Sequence, residues 1–132
     1  VFYHGRVGQG ELAESYLLSL LWLYPTDFKE TSCITAMEAQ AACAVPVCTS
    51  LAALTETVKH GYLVKPFNRE PRYETDFLDA VRRALEAPEE RAKKAKLGRE
   101  HALSKLSWAE VASGWEELFT KKIQEKEDHA HV

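Results

Sequence analysis

At 132 residues, the chain is long enough for one domain with its own core and too short for two ordinary domains. It is 45% hydrophobic and 28% charged with a formal net charge of -3, a composition that fits a soluble mixed domain and gives no overall basic field to hold nucleic acid. The longest apolar run, Tyr16 to Tyr24 with one serine inside, falls well short of the roughly 20 residues that cross a bilayer, and no charged-then-apolar leader opens the chain, so no membrane span is expected.

The chain starts at Val1 rather than Met, and "VFYH" reads as the middle of a sheet, so we expect sequence upstream. "VFYHGRV" begins with β-favouring residues and predicts a strand turning at Gly5. "QGELAESYLLS" predicts a helix with Leu12, Tyr16 and Ser19 on one side. Leu20 to Tyr24 is continuously apolar and stops at Pro25, as a parallel strand covered on both faces would.

After the loop "PTDFKE", Ile34, Met37, Ala41 and Val45 recur at helical spacing and predict a helix from Ser32 to Ala42. Ala36, Ala39, Ala41, Ala42 and Ala44 keep it thin enough to lie close against a sheet. "PVCT" predicts a strand, "TETVKHG" a short helix closed by Gly61, and "YLVKP" a strand ended by Pro66. This alternation with short connections predicts an α/β fold, a doubly wound, Rossmann-like parallel sheet followed by C-terminal helices.

From Tyr73 onward the pattern is helical. Phe77, Val81 and Leu85 line one helix, Pro88 breaks it, and Glu89 to Lys105 form a second. Ser107 to Glu110 form a capping box opening a third, striped by Trp108, Val111, Trp115, Leu118 and Phe119. The expected organisation is a sheet region over 1–66, a helical region over 73–126 and a frayed polar tail over 127–132.

The stretch "FKETSCITAMEAQAACAVPVCTS" carries the chemistry. Ligands of open α/β sheets settle beyond the carboxyl ends of the strands, where a helix N-terminus offers free N–H groups to phosphate. Glu30 falls at the lip of such a seat, and Glu38 lies up to about 9 Å further along the helix. Carboxylates repel phosphate and suit hydroxyls, so a pair flanking the seat implies a sugar on one side and a ribose on the other. The inferred ligand is a nucleotide sugar, which requires both side chains to face a common hollow at the sheet's rim. Against this stand the 20 acidic residues, which produce Glu pairs at any spacing, and the ordinary dipole preference for Glu near a helix start.

The segment from Tyr24 to Val64 resembles the donor-binding, C-terminal half of the retaining GT-B glycosyltransferases of group 1, or family 4. Their Glu, seven residues, Glu motif reads "ETSCITAME" here, followed by "EAQAACAVPV" and by Glu56, Val58 and Gly61. "VFYHGRVGQGEL" resembles the family's upstream strand, turn and helix, and "SWAEVASGWEELF" its closing helix.

The resemblance implies a hexosyltransferase donor domain using a nucleotide-diphosphate sugar. Glu30 would be the catalytic carboxylate facing the donor sugar, Glu38 would meet the ribose, the backbone of Ser32, Cys33 and Ile34 the diphosphate, and Gly5 and Arg6 the base. It implies no metal or other cofactor. A glycan or lipid-linked acceptor would be held by a separate N-terminal domain, and the basic pair that neutralises the leaving diphosphate would lie upstream, so we expect the isolated chain to be inactive. The protein would supply orientation and charge stabilisation more than a nucleophile.

Two departures stand out. Cys43 replaces a glycine after the alanine helix, where a left-handed turn costs a non-glycine residue roughly 1–2 kcal/mol. Thr31 and Ser32 replace an aromatic residue and a glycine. Alternatives are a non-catalytic interaction domain of the same fold and a nucleotide-sugar epimerase.

Other features carry blander readings. Gly5, Gly8 and Gly10 reverse the dinucleotide spacing, leaving Asp27 as the one candidate ribose ligand of a nicotinamide scheme. Arg91, Lys93, Lys94, Lys96 and Arg99 could give weak peripheral contact with acidic lipid, but the interspersed Glu89, Glu90 and Glu100 favour a solvated face. His4 ends a strand, and His129 and His131 sit in the tail. Cys33, Cys43 and Cys48 form neither a disulfide framework nor a zinc spacing and suit a reduced, cytoplasmic protein. Trp115 and Phe119 are core, or are partly uncovered.

Overall fold

The computed structural model describes residues 1–66 and 72–130. Three parallel strands, β1 (Leu21–Tyr24), β2 (Val45–Thr49) and β3 (Tyr62–Val64), lie in the order β1-β2-β3, with Leu23 opposite Val47 and Val47 opposite Tyr62. Between and around them run α1 (Gln9–Leu17), α2 (Ile34–Ala41), α3 (Leu54–Thr57), α4 (Tyr73–Glu86), α5 (Pro88–Lys105) and α6 (Trp108–Ala130).

Strand β2 is buried throughout, and alternation along it builds two cores. Val45 and Val47 join Tyr62, Val64, Phe77 and Ala84 beneath α4. Cys48 points the other way, to Cys33, Ala36, Leu54 and Val58 of the α2 and α3 side. A third cluster of Tyr16, Ala39 and Ala44 ties α1 to α2. Helices therefore cover both faces, which is the expected doubly wound arrangement.

Pro46 is tolerated in this central strand because of register. Val45 donates to Leu20 on the β1 side, so position 46 faces β3, whose pairing starts only at Val47. Gly61 is required at that corner: a Cβ there would lie 2.6 Å from Val58 Cγ1 and 2.7 Å from the Pro46 carbonyl oxygen.

The thin alanine helix behaves as expected. Ala36 and Ala39 are fully buried, and α5 crosses α2 where Gly98 meets Gln40. The Gln40 amide nitrogen donates to the carbonyls of Ala36 at 3.0 Å and Thr57 at 3.1 Å, joining α2 to α3. At the end of α2 the left-handed turn is kept with cysteine in it: Cys43 has φ 68°, its N–H bonds Gln40 O, and Ala44 N–H bonds Ala39 O. These two bonds close a Schellman motif, whose geometry requires the strained φ.

Helices α4 and α5 meet at Ala87, with Pro88 at the first position of α5, where its missing N–H costs nothing. Arg91 locks the corner by donating to the carbonyls of Ala84 at 2.8 Å and Leu85 at 3.1 Å. The Ser107 hydroxyl accepts from Glu110 N–H at 3.3 Å and opens α6 as the capping pattern predicts.

Three expectations change. The N-terminal segment is not a strand; Val1, Phe2 and Tyr3 are exposed and pair with nothing in the described sheet, and β-propensity without a neighbouring ladder does not make a strand. Strand β1 is only partly covered: Leu21 reaches the α4-side core, but α4 lies over β2 and β3, and Leu23 stays exposed. The polar end expected to fray is helical to Ala130, continuing α6, while 131–132 lie outside the described residues.

Candidate functional site

The carboxyl ends of β1 and β2 carry a connected set of polar groups. Tyr24, the last residue of β1, donates its hydroxyl to Glu30 Oε1 at 2.7 Å. That acceptor is the main cause holding the Tyr24 phenol above the usual tyrosine range; burial adds to it and a hydrogen bond with Thr26 opposes it. Thr26 N–H donates to Thr49 Oγ1 at 3.0 Å, and the hydroxyls of Thr49 and Tyr73 lie 2.6 Å apart. Glu30 is also held by its backbone, because Ala53 N–H donates to its carbonyl at 3.2 Å. Ala52, just before that donor, has φ 47°, a second left-handed non-glycine residue in the fold.

Helix α2 starts beyond this loop. Its N-cap, Cys33, is buried and makes no side-chain cap; the thiol sulfur lies 3.5 Å from Thr35 Oγ1. The carbonyl of Cys33 accepts from both Ala36 and Met37, while the N–H groups of Ile34 and Thr35, which the helix leaves without an internal acceptor, have no side-chain cap. Ser32 and Ile34 are exposed on either side of Cys33.

Glu38 is half-buried and borders two hollows. One, of about 290 Å³, lies between α1 and α2 with Leu12, Ala13 and Tyr16 in its wall. The Tyr16 phenol is pushed up first by burial and then by the negative charge of Glu38. The other, of about 470 Å³, is bordered by Ser32, Ile34, Met37, Leu103 and Trp108.

Of the residues expected from sequence, Ser32, Ile34 and Glu38 thus border one hollow, while Cys33 is packed into the core instead. Glu30 lines neither hollow, because its carboxylate is turned to Tyr24. The common hollow for Glu30 and Glu38 is not what these two cavities present. Gly5, at φ 68°, and Arg6 are exposed in the N-terminal segment, away from both cavities. Sequence reasoning passed over Tyr24, Thr49 and Tyr73; a tyrosine ending an apolar strand just before Pro25 was the available signal.

The remaining candidates resolve as scaffold or surface. Gly8 is the N-cap of α1, and a Cβ at Gly5, Gly8 or Gly10 would meet nothing within 4 Å, so no packing against the described residues calls for these glycines. In the basic cluster, Arg91 caps α4, Lys94 donates to Gly61 O at 3.1 Å, Arg99 donates to Ala41 O, and Lys96 lies 4.0 Å from Glu100. Arg91, Lys94 and Arg99 thus tie α5 to α4, to the loop before β3 and to α2, whereas Lys96 pairs within α5.

His4 is exposed. His129 Nδ1 lies 2.6 Å from Glu125 O within its own helix, and His131 lies outside the described residues. All three cysteines are free, and no group of three or more metal-ligating side chains occurs among the described residues. No helix among them is long and apolar enough to cross a membrane.

The family of glycosyl transferases group 1 matches residues 1–101. No curated protein and no solved structure was found to match the chain. The matched span takes in all three strands, the loop of Glu30 and the whole of α2. Its coverage of 1–101 in a parallel α/β sheet shows that the chain belongs to the group 1 glycosyl transferases.

Proposed function

We propose that the chain is the donor-binding part of a hexosyltransferase and takes a nucleotide-diphosphate sugar at the carboxyl rim of its sheet. The observation that carries the reading is the uncapped first turn of α2, exposed at Ser32 and Ile34, which border one hollow with Glu38, while Glu30 lies outside that hollow in the preceding loop. Backbone N–H groups there suit the diphosphate, with the helix dipole in support. Glu30 would accept from hydroxyls of the transferring sugar and Glu38 from the ribose, each as a charge-assisted bond. Gly5 and Arg6 would meet the base. The acceptor, a glycan or lipid-linked sugar, would be supplied by another domain, and no metal takes part.

The test is calorimetric titration of the chain with UDP, GDP and ADP and with their hexose conjugates. At least one pair is expected to bind, and Glu38→Ala is expected to weaken both members of that pair by about tenfold, the size of a lost hydrogen bond to a charged group. Absence of heat with every probe would overturn the proposal. It would favour the second reading, an interaction domain without turnover, for which the exposed stripe of α6 is the supporting observation.

A further inference from the structure

Glu30 enters the nucleotide-sugar reading without its partner Tyr24, yet the geometry of the pair bears on that reading. A carboxylate has two oxygens. Oε1 of Glu30 accepts the Tyr24 hydroxyl at 2.7 Å, and among the described residues Oε2 receives no hydrogen bond. The phenol is itself fixed: its ring lies 5.0 Å from that of Trp22, tilted by 33°, and packs against the core of Cys33, Ala36, Cys48, Leu54 and Val58. The backbone of Glu30 is fixed independently by Ala53 N–H, delivered by the strained Ala52. Backbone and side chain are thus held from two different strand ends.

We infer that Tyr24 is a positioning residue, which clamps Glu30 through Oε1 so that Oε2 is presented to a hydroxyl of the donor sugar. A free glutamate on a loop loses rotamer freedom each time it binds; one already held at one oxygen has less to lose, and its second oxygen is aimed. Strain at Ala52 has the same sense, since a left-handed alanine persists only where its surroundings impose it. The raised Tyr24 phenol remains a donor throughout the neutral range, so the clamp does not open with ordinary changes of pH. This inference rests on the nucleotide-sugar reading and deepens it.

The test separates the sugar from the nucleotide. Titrations with UDP and UDP-glucose, GDP and GDP-mannose, and ADP and ADP-glucose give, for the pair that binds, the affinity added by the sugar. Tyr24→Phe is expected to reduce that added affinity by about five- to tenfold, leaving affinity for the bare diphosphate unchanged. In a Glu30→Gln background the same change is expected to have little further effect, because the two side chains act as one unit.

An unchanged sugar contribution in Tyr24→Phe would overturn the inference, as would an equal loss for diphosphate and conjugate, the signature of a merely structural tyrosine. If the unsubstituted chain takes none of the probes, the nucleotide-sugar reading itself falls and the clamp with it. Should Tyr24→Phe fail to fold, 3-fluorotyrosine at position 24 keeps the test open. Its fluorine resonance is expected to move with the sugar conjugate and not with the diphosphate, and a resonance that stays still with both overturns the clamp.

Discussion

Helices α5 and α6 are neighbours of comparable length and opposite fates. Helix α5 has almost no large apolar stripe, yet it is drawn into the fold through Gly98, Ala102 and long polar side chains that reach carbonyls of other elements. Helix α6 carries Trp108, Val111, Trp115, Leu118, Phe119 and Ile123, and all six are exposed. Small residues plus hydrogen-bond hooks can therefore secure a helix more firmly than an apolar face does. A hydrophobic stripe states that a helix can be covered, and the covering surface has to come from elsewhere.

Substitutions at three positions would break or sharpen this contrast. The largest effect is expected where α5 crosses α2. A Cβ at position 98 would lie 3.6 Å from Gln40 Cγ, ordinary contact, so Gly98→Ala should be tolerated. A leucine would drive its further atoms into this buried crossing, and Gly98→Leu should destabilise by about 3 kcal/mol in urea titrations. Equal midpoints for Gly98→Ala and Gly98→Leu would show the crossing to be loose.

Next is the end of α2 that Arg99 of α5 grips through Ala41 O. Cys43→Gly removes the left-handed strain and should raise stability by about 1 kcal/mol, read as a higher melting temperature. A decrease would mean that the thiol contributes packing that its exposure hides. The smallest change belongs to α6: Trp115→Ser should alter stability by less than about 0.5 kcal/mol, despite losing the largest side-chain type. A loss as large as that of a core tryptophan would show that the stripe is covered after all.

Periodicity and punctuation made most of the architecture legible. Ile34, Met37 and Ala41 announced α2, Pro88 the corner between α4 and α5, and Ser107 the start of α6. What stayed hidden depends on partners that a local pattern does not name. "VFYH" has strand composition but no ladder beside it, and Leu23 is apolar but lies beyond the reach of α4. At the candidate site, the Glu30 and Glu38 spacing pointed to the loop and helix that are proposed to take the donor. The direction of Glu30 was set by Tyr24, six positions earlier, and only the strand register and the turn after Pro25 decide that meeting.

The three thiols are chemically sorted by the same geometry. Cys33 and Cys48 are enclosed in one core, where burial above all pushes the Cys48 thiol up to about 12 and keeps it protonated and inert. Cys43 alone stands in solvent, at the opposite end of α2 from its uncapped first turn. A maleimide dye at neutral pH therefore meets a single address on the folded chain, and the resulting conjugate carries its reporter on the very helix whose other end is proposed to receive the donor.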